Sequence, residues 1–255
     1  MNQSVVLEDV MAITREAGAV IMEIYGSDFE VRGKQDASPV TEADEKAERW
    51  ILERLKALWP QIPAVSEEAA AAGYVPEMGQ RFWLVDPLDG TKEFIQRNGE
   101  FTVNIALIEH GVPVLGVVFA PALDRMYAGA QGQGAWLEVK GTRQPIECRS
   151  IPQEGLDVVA SRSHGDAQAL ENFLQGRSVR SLKSAGSSLK ICLVAEGEAD
   201  IYPRLGRTME WDIAAGHAVL AAAGGQIRTL DGEVLGYGKP DMSNPHFYAC
   251  SQHFC

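Results

Sequence analysis

Between Trp83 and Phe94 the chain reads WLVDPLDGTKEF, an apolar run that breaks into two carboxylates three residues apart, then a glycine and a hydroxyl. Pro87 and Gly90 favour a turn at this point. In such a turn Asp86 and Asp89 can converge on one point, with the Leu88 carbonyl facing the same way. Oxygen donors of that kind suit a hard divalent cation such as magnesium. The same residues also make an ordinary β-turn with solvated acids, and the segment alone leaves both readings open. Pro87 disfavours helical backbone at Asp86, which predicts that the strand ends there, extended.

Three more segments place acids at candidate turns or helix ends. PAVSEEAA sets Glu67 and Glu68 after a short apolar approach, where acids also favour the positive end of a helix. MEWDIAAGHAVLAAAGG sets Asp212 at the start of an apolar helix, a place where aspartate serves equally as an N-cap. PVTEAD sets Thr41 and Asp44 at a helix entrance, which matches a variant capping box. His217 lies in mid-helix beside alanines and reads as a structural histidine. Each signal is weak singly.

The elements that must position these residues follow from periodicity. Val6, Val10, Ile13 and Ala17 keep helical spacing, so the N-terminus is predicted to be an amphipathic helix packed on the protein. It has neither the basic start nor the small-residue cleavage site of a secretory signal. A second helix begins near Pro39 with Ala47, Ile51, Leu55 and Leu58 on one face. Residues 63–140 alternate β-branched and aromatic positions, with turns at His110-Gly111 and Ala122–Asp124. From about residue 155 short apolar runs alternate with helical patterns, an α/β rhythm. With 255 residues, and roughly 100–200 per domain, we expect an N-terminal α+β part over 1–150 and a C-terminal α/β part over 151–255.

Composition narrows the function. The net charge of -12 argues against coating a nucleic-acid polymer or anionic lipid through a basic face. It permits a small anionic ligand wherever local cations reverse the sign. No apolar run approaches the ~20 residues of a membrane span, so no integral membrane segment is expected. Cys148, Cys192, Cys250 and Cys255 form no CxxC pair and read as free thiols of a reducing cytoplasm, with zinc ligation or a Cys250–Cys255 disulfide as the other options.

Taken together, the segments become specific. DPLDGT with SEE and PVTEAD upstream and WDIAAG downstream resembles the inositol monophosphatase superfamily of magnesium-dependent, lithium-sensitive phosphatases. Within it, DPLDGTKEFIQRNGEFTVNIALI, SRSH and GSSLKICLVAEGEADIYPR resemble the 3′(2′),5′-bisphosphate nucleotidases. That resemblance implies a layered α/β/α/β/α sandwich with its site between the two parts. It implies that Glu67, Asp86 and the Leu88 carbonyl hold one magnesium, that Asp86, Asp89 and Asp212 hold a second, and that the site takes two or three ions in all. Paired ions of this sort sit ~3.5–4 Å apart and clamp the attacking and leaving oxygens of an in-line displacement.

Also by resemblance, Thr91 orients the attacking water and Asp44 accepts its proton through that hydroxyl. Glu67, Asp89, Gly90, Thr91, His164, Ser187, Lys190, Arg204 and Asp212 would contact substrate, Lys190 and Arg204 as cations for a second phosphate. The implied reaction converts adenosine 3′,5′-bisphosphate to AMP and phosphate, in sulfate assimilation, and 3′-phosphoadenylyl sulfate is an implied co-substrate. The implied location is the cytoplasm, with loose association with the cytoplasmic face of the inner membrane left open. The rival within the enzyme class is an inositol or other sugar monophosphatase with the same metal core. A catalytically silent nucleotide-binding protein is the rival outside it.

Overall fold

The computed structural model describes residues 3–33, 39–161, 167–251 and 254. Helix α1 (Gln3–Tyr25) is followed by the short strands β1 (Val31–Gly33) and β2 (Pro39–Thr41), helix α2 (Glu42–Leu58), strand β3 (Ala64–Ser66) and helix α3 (Glu67–Ala71). Next come β4 (Arg81–Asp89), α4 (Thr91–Ile95), β5 (Thr102–Glu109), β6 (Val112–Ala120), β7 (Arg125–Ala130), β8 (Gly134–Val139) and β9 (Thr142–Ile146). The chain continues through β10 (Leu156–Ser161), α5 (Ala167–Leu174), β11 (Val179–Ala185), α6 (Leu189–Ala195) and β12 (Ile201–Arg204). It ends with α7 (Glu210–Ala222), β13 (Gly225–Thr229) and β14 (Phe247–Ser251).

Strands β3 to β9 form one seven-stranded sheet in sequence order, antiparallel except for the parallel β3–β4 pair. Its hairpins follow from local chemistry. At the β5–β6 turn His110 and Gly111 both have positive φ, the backbone that a tight two-residue hairpin requires. A second sheet, ordered β11-β10-β12-β14-β13, is parallel at its first three strands and antiparallel at its last three. Pairing thus changes from local hairpins to crossovers between Ile146 and Leu156, which is where the sequence rhythm changes.

The layers follow from which faces are apolar. On one side of the large sheet, Val10, Ala17 and Ile21 of α1 and Ala47, Ile51 and Leu55 of α2 pack with Trp83, Val85, Ile105 and Val117. On the other side, Ile191 and Val194 of α6 and Ala214, Ala215 and Val219 of α7 pack with Leu84, Ala106 and Val118. The same cluster continues into Ile227, Phe247 and Ala249 of the small sheet. Leu170, Phe173 and Leu174 of α5 close the outer face against Leu156 and Val158. The result is the α/β/α/β/α sandwich, with α6 and α7 as the shared middle layer. Helix α7 is buried on nearly all sides because it lies between two sheets.

One position departs from the predicted face. Leu58 is 50% exposed, and Trp59, at the C-cap of α2, occupies the buried place instead. Four residues beyond Leu55, Trp59 continues the row Ala47, Ile51, Leu55, whereas Leu58 turns away from it.

Two glycines let α7 lie close on the sheet. A Cβ on Gly116 of β6 would sit 2.8 Å from the Ala218 Cβ and 2.9 Å from the Ala215 Cα. A Cβ on Gly129 of β7 would sit 2.9 Å from the Val219 Cα. These obstacles are mostly backbone, which cannot swing aside. Gly116→Ala is therefore expected to cost ~1–3 kcal/mol, the usual scale of overpacking. Chemical denaturation checks this, and an unchanged midpoint would mean that α7 is not held so closely.

Candidate active site

The centre of the site is an irregularity in β4. Asp86 pairs with Asn104, but Asp89 pairs with Thr102, so three residues on β4 match two on β5. Side chains alternate along a strand, and without the extra residue Asp86 and Asp89 would point to opposite faces. The bulge restores Asp89 to the face of Asp86, while Leu88 drops into the α1/α2 core. The prediction that the strand stops at Asp86 is thus corrected: β4 runs on to Asp89. Pro87 is tolerated because it lies in the bulge, where no ladder N–H is needed. Gly90 then takes a left-handed conformation, φ 91°, and opens α4 at Thr91.

The other acids arrive on helix termini. Asp44 is the third residue of α2, and its Oδ2 accepts from the Thr41 main-chain N–H at 2.8 Å and from the Thr41 hydroxyl at 2.7 Å. Its Oδ1 accepts from the Thr91 hydroxyl at 3.2 Å. Capping and contact with Thr91 therefore coexist in one carboxylate. Glu67 is the first residue of α3, whose Glu68 and Ala69 N–H groups donate to Glu48 Oε1 at 3.1 Å each. Asp212 is the third residue of α7, not its N-cap, and its Oδ2 accepts from the Met209 N–H at 2.9 Å.

Glu67, Asp86, Leu88, Asp89, Gly90, Thr91 and Asp212 line one cavity of about 420 Å³. Burial pushes the Asp86 carboxyl well above the usual carboxylate range, and the neighbouring charges of Glu67, Asp89 and Asp212 push it further. Asp212 is raised for the same reasons, burial first and then Asp89 and Glu67. Asp89 is raised by burial, with Lys190 and the Ser188 hydroxyl opposing. Among the described residues no group of three or more histidine, cysteine, aspartate or glutamate side chains is drawn together closely enough to hold a metal ion as they stand. The acids are neighbours whose fields overlap. Glu67 heads the neighbouring charges that raise Asp86. An all-oxygen donor set under mutual repulsion fits a hard divalent cation.

The cavity also carries cations. Lys190 is buried, donates to the Ser187 carbonyl and stands over the Tyr202 ring at 5.5 Å. Burial pushes its ammonium down to about 8, against the pull of Asp89. Arg204 donates to the Arg207 carbonyl at 3.0 Å, and its Nε has no hydrogen-bond partner among the described residues. The same holds for the Ser187 hydroxyl, on a residue with φ 44°. Ser187, Lys190 and Arg204 share the cavity with the acids, whereas His164 lies outside the described residues.

Sequence reasoning missed Arg207 and Ser188, which line the cavity, and Asn104, which donates to Ser188 from behind it. A signal existed for Asn104: it is an amide at an inward position of the apolar run FTVNIALI. His217 is buried in α7, outside the cavity lining, and shares a 2.9 Å hydrogen bond with the Tyr237 hydroxyl; burial pushes its pKa down to about 4. Cys148 and Cys192 are free thiols, Cys250 is buried, and Cys255 lies outside the described residues.

The model of the inositol monophosphatase family matches residues 2–253, and the chain belongs to that family. It is 50% identical over 244 residues to the 3′(2′),5′-bisphosphate nucleotidase CysQ of Escherichia coli (strain K12), covering 94% of this chain and 98% of that protein. With the protein of the same description from Salmonella typhimurium the identity is 52% over the same shares. Among solved structures, CysQ from Bacteroides thetaiotaomicron superposes with a TM-score of 0.81 at 38% identity, covering 96% of this chain and 97% of that one. The inositol monophosphatase from Anabaena superposes with a TM-score of 0.79 at 26% identity, covering 100% and 93%.

The crowding of acids has a measurable consequence. A carboxyl whose folded pKa is raised weakens the fold once pH exceeds its unfolded value, and the full penalty stands above the raised one. Asp86→Asn keeps the acceptor for the Leu88 N–H, 3.1 Å away, and removes one repelling charge. Without divalent cation the variant should be more stable than wild type at pH 7–8. Its lead should vanish as pH falls through the usual carboxylate range near 4. Thermal melts across pH check this, and a lead that persisted in acid would contradict the electrostatic cause.

Proposed function

We propose that this chain is a magnesium-dependent 3′(2′),5′-bisphosphate nucleotidase that hydrolyses adenosine 3′,5′-bisphosphate to AMP and phosphate. The observation that supports it is one cavity lined both by four acids and by the buried cations Lys190 and Arg204. A substrate with two separated phosphates matches both kinds of charge: one phosphate would lie at the cation-binding acids, and the other would pair with the two cationic side chains. A monophosphate would give Lys190 and Arg204 no phosphate to bind.

Glu67, Asp86, Asp89, Asp212 and the Leu88 carbonyl would hold two or three magnesium ions. Bound there, the ions supply Lewis acidity and cancel the charge of the phosphoryl group. The chain's own residues do the remainder. The Thr91 hydroxyl, already donating to Asp44 Oδ1, orients the attacking water and passes its proton to that carboxylate. Main-chain N–H groups at Gly90 and Thr91 face the phosphoryl oxygens. Lys190, Arg204 and the Ser187 hydroxyl bind the distal phosphate and ribose side, with His164 assigned to the nucleotide by resemblance.

Lithium inhibition follows from competition of a small monovalent ion for one magnesium position. Removal of adenosine 3′,5′-bisphosphate, and action on 3′-phosphoadenylyl sulfate, would place the enzyme in sulfate assimilation in the cytoplasm. Among the described residues no helix is long and apolar enough to cross a membrane, and any contact with the inner membrane would be peripheral.

The test is phosphate release by purified protein with magnesium present and absent. Release from adenosine 3′,5′-bisphosphate should be magnesium-dependent and at least ~10-fold faster than from inositol 1-phosphate, a gap of about 1.4 kcal/mol. The reverse order would make the enzyme an inositol or sugar monophosphatase with the same metal core.

A further inference from the structure

Asn104 is fully buried on β5, among apolar neighbours of the inward face. Its amide nitrogen donates to Ser188 Oγ at 3.0 Å and reaches Asp89 Oδ2 at 3.4 Å. Ser188, at the N-cap of α6, donates its hydroxyl to the main-chain carbonyl of Asp212 at 2.6 Å. A continuous path therefore runs from Asp89 on the large sheet, through β5 and α6, to the first turn of α7.

Two features separate this path from routine packing. The Asn104 carbonyl oxygen is buried and has no hydrogen-bond partner among the described residues, a desolvation cost that an apolar residue would avoid. The reverse amide orientation would set that oxygen against the Asp89 carboxylate, so the N–H end must face the acids. The amide is thus aimed at them even though its other end goes unsatisfied.

We propose that Asn104 and Ser188 are positioning residues that brace Asp89 and the start of α7 against each other, so that Asp89 and Asp212 are held ready for one divalent cation. The proposal rests on the functional reading above and deepens it. Acids that repel would otherwise relax apart, and the brace opposes this with donors in place of charges. Groups that orient metal ligands commonly change metal affinity 10–100-fold when they are lost.

The test is manganese binding to cation-stripped protein, followed by the electron paramagnetic resonance of free manganese, alongside turnover at saturating magnesium. Asn104→Ala and Ser188→Ala should each weaken manganese binding at least ~10-fold, while saturating magnesium brings turnover back to within a few-fold of wild type. Ser188→Thr keeps the hydroxyl and should bind manganese nearly as wild type does, which a merely structural role would not require. If Asn104→Ala does not fold, the two Ser188 variants decide. Wild-type binding with both Ser188 variants within about twofold of it would overturn the brace alone. Absence of manganese binding in the wild type would overturn the metal reading and the brace with it.

Discussion

Like charges repel most strongly where water is scarce, and the fold works against that repulsion at one place. Asp86 and Asp89 are brought to the same face of β4 by a single extra residue, and Glu67 and Asp212 are delivered to the same cavity from helix starts. Helix N-termini carry partial positive charge, which moderates the cost of placing acids there. It does not remove the cost, since Asp86 and Asp212 remain well above the usual carboxylate range. A site under that tension gains most from a compact multivalent cation, which cancels several charges at once.

The layering explains how such distant residues meet. Helices α6 and α7 form the slab between the sheets, so one end of that slab gathers the acids of the large sheet, Lys190 of α6 and Asp212 of α7. Arg204 comes from the end of β12 in the small sheet. Glycines at Gly116 and Gly129 let α7 approach the large sheet backbone to backbone, which fixes the depth at which Asp212 stands. The overall charge of -12 poses no barrier to an anionic substrate, because the cavity holds its own buried cations.

Residue types and order along the chain made the acids legible, and the helical faces of α1 and α2 were legible down to Leu55. The bulge was not. Pro87 signals a break in pairing, but whether the break ends the strand or only shifts its register depends on β5, which lies 15 residues further on. Leu58 and Trp59 both satisfy an apolar pattern, and only the packing chose the tryptophan. Asp44 shows a different limit: its capping role is local and readable, while its contact with Thr91 spans 47 residues. The order of the layers and the support from Asn104 and Ser188 are likewise long-range facts, carried by contacts that no local pattern encodes.

The account depends on these acids being a cation site and not merely a buried cluster. The direct measurement is an anomalous difference map from crystals of the full chain grown with manganese. The account requires peaks within coordination distance of Asp86, with Glu67, Asp89 and Asp212 oxygens among their neighbours. Manganese bound elsewhere, with those four carboxylates left in contact only with one another and with water, would contradict it.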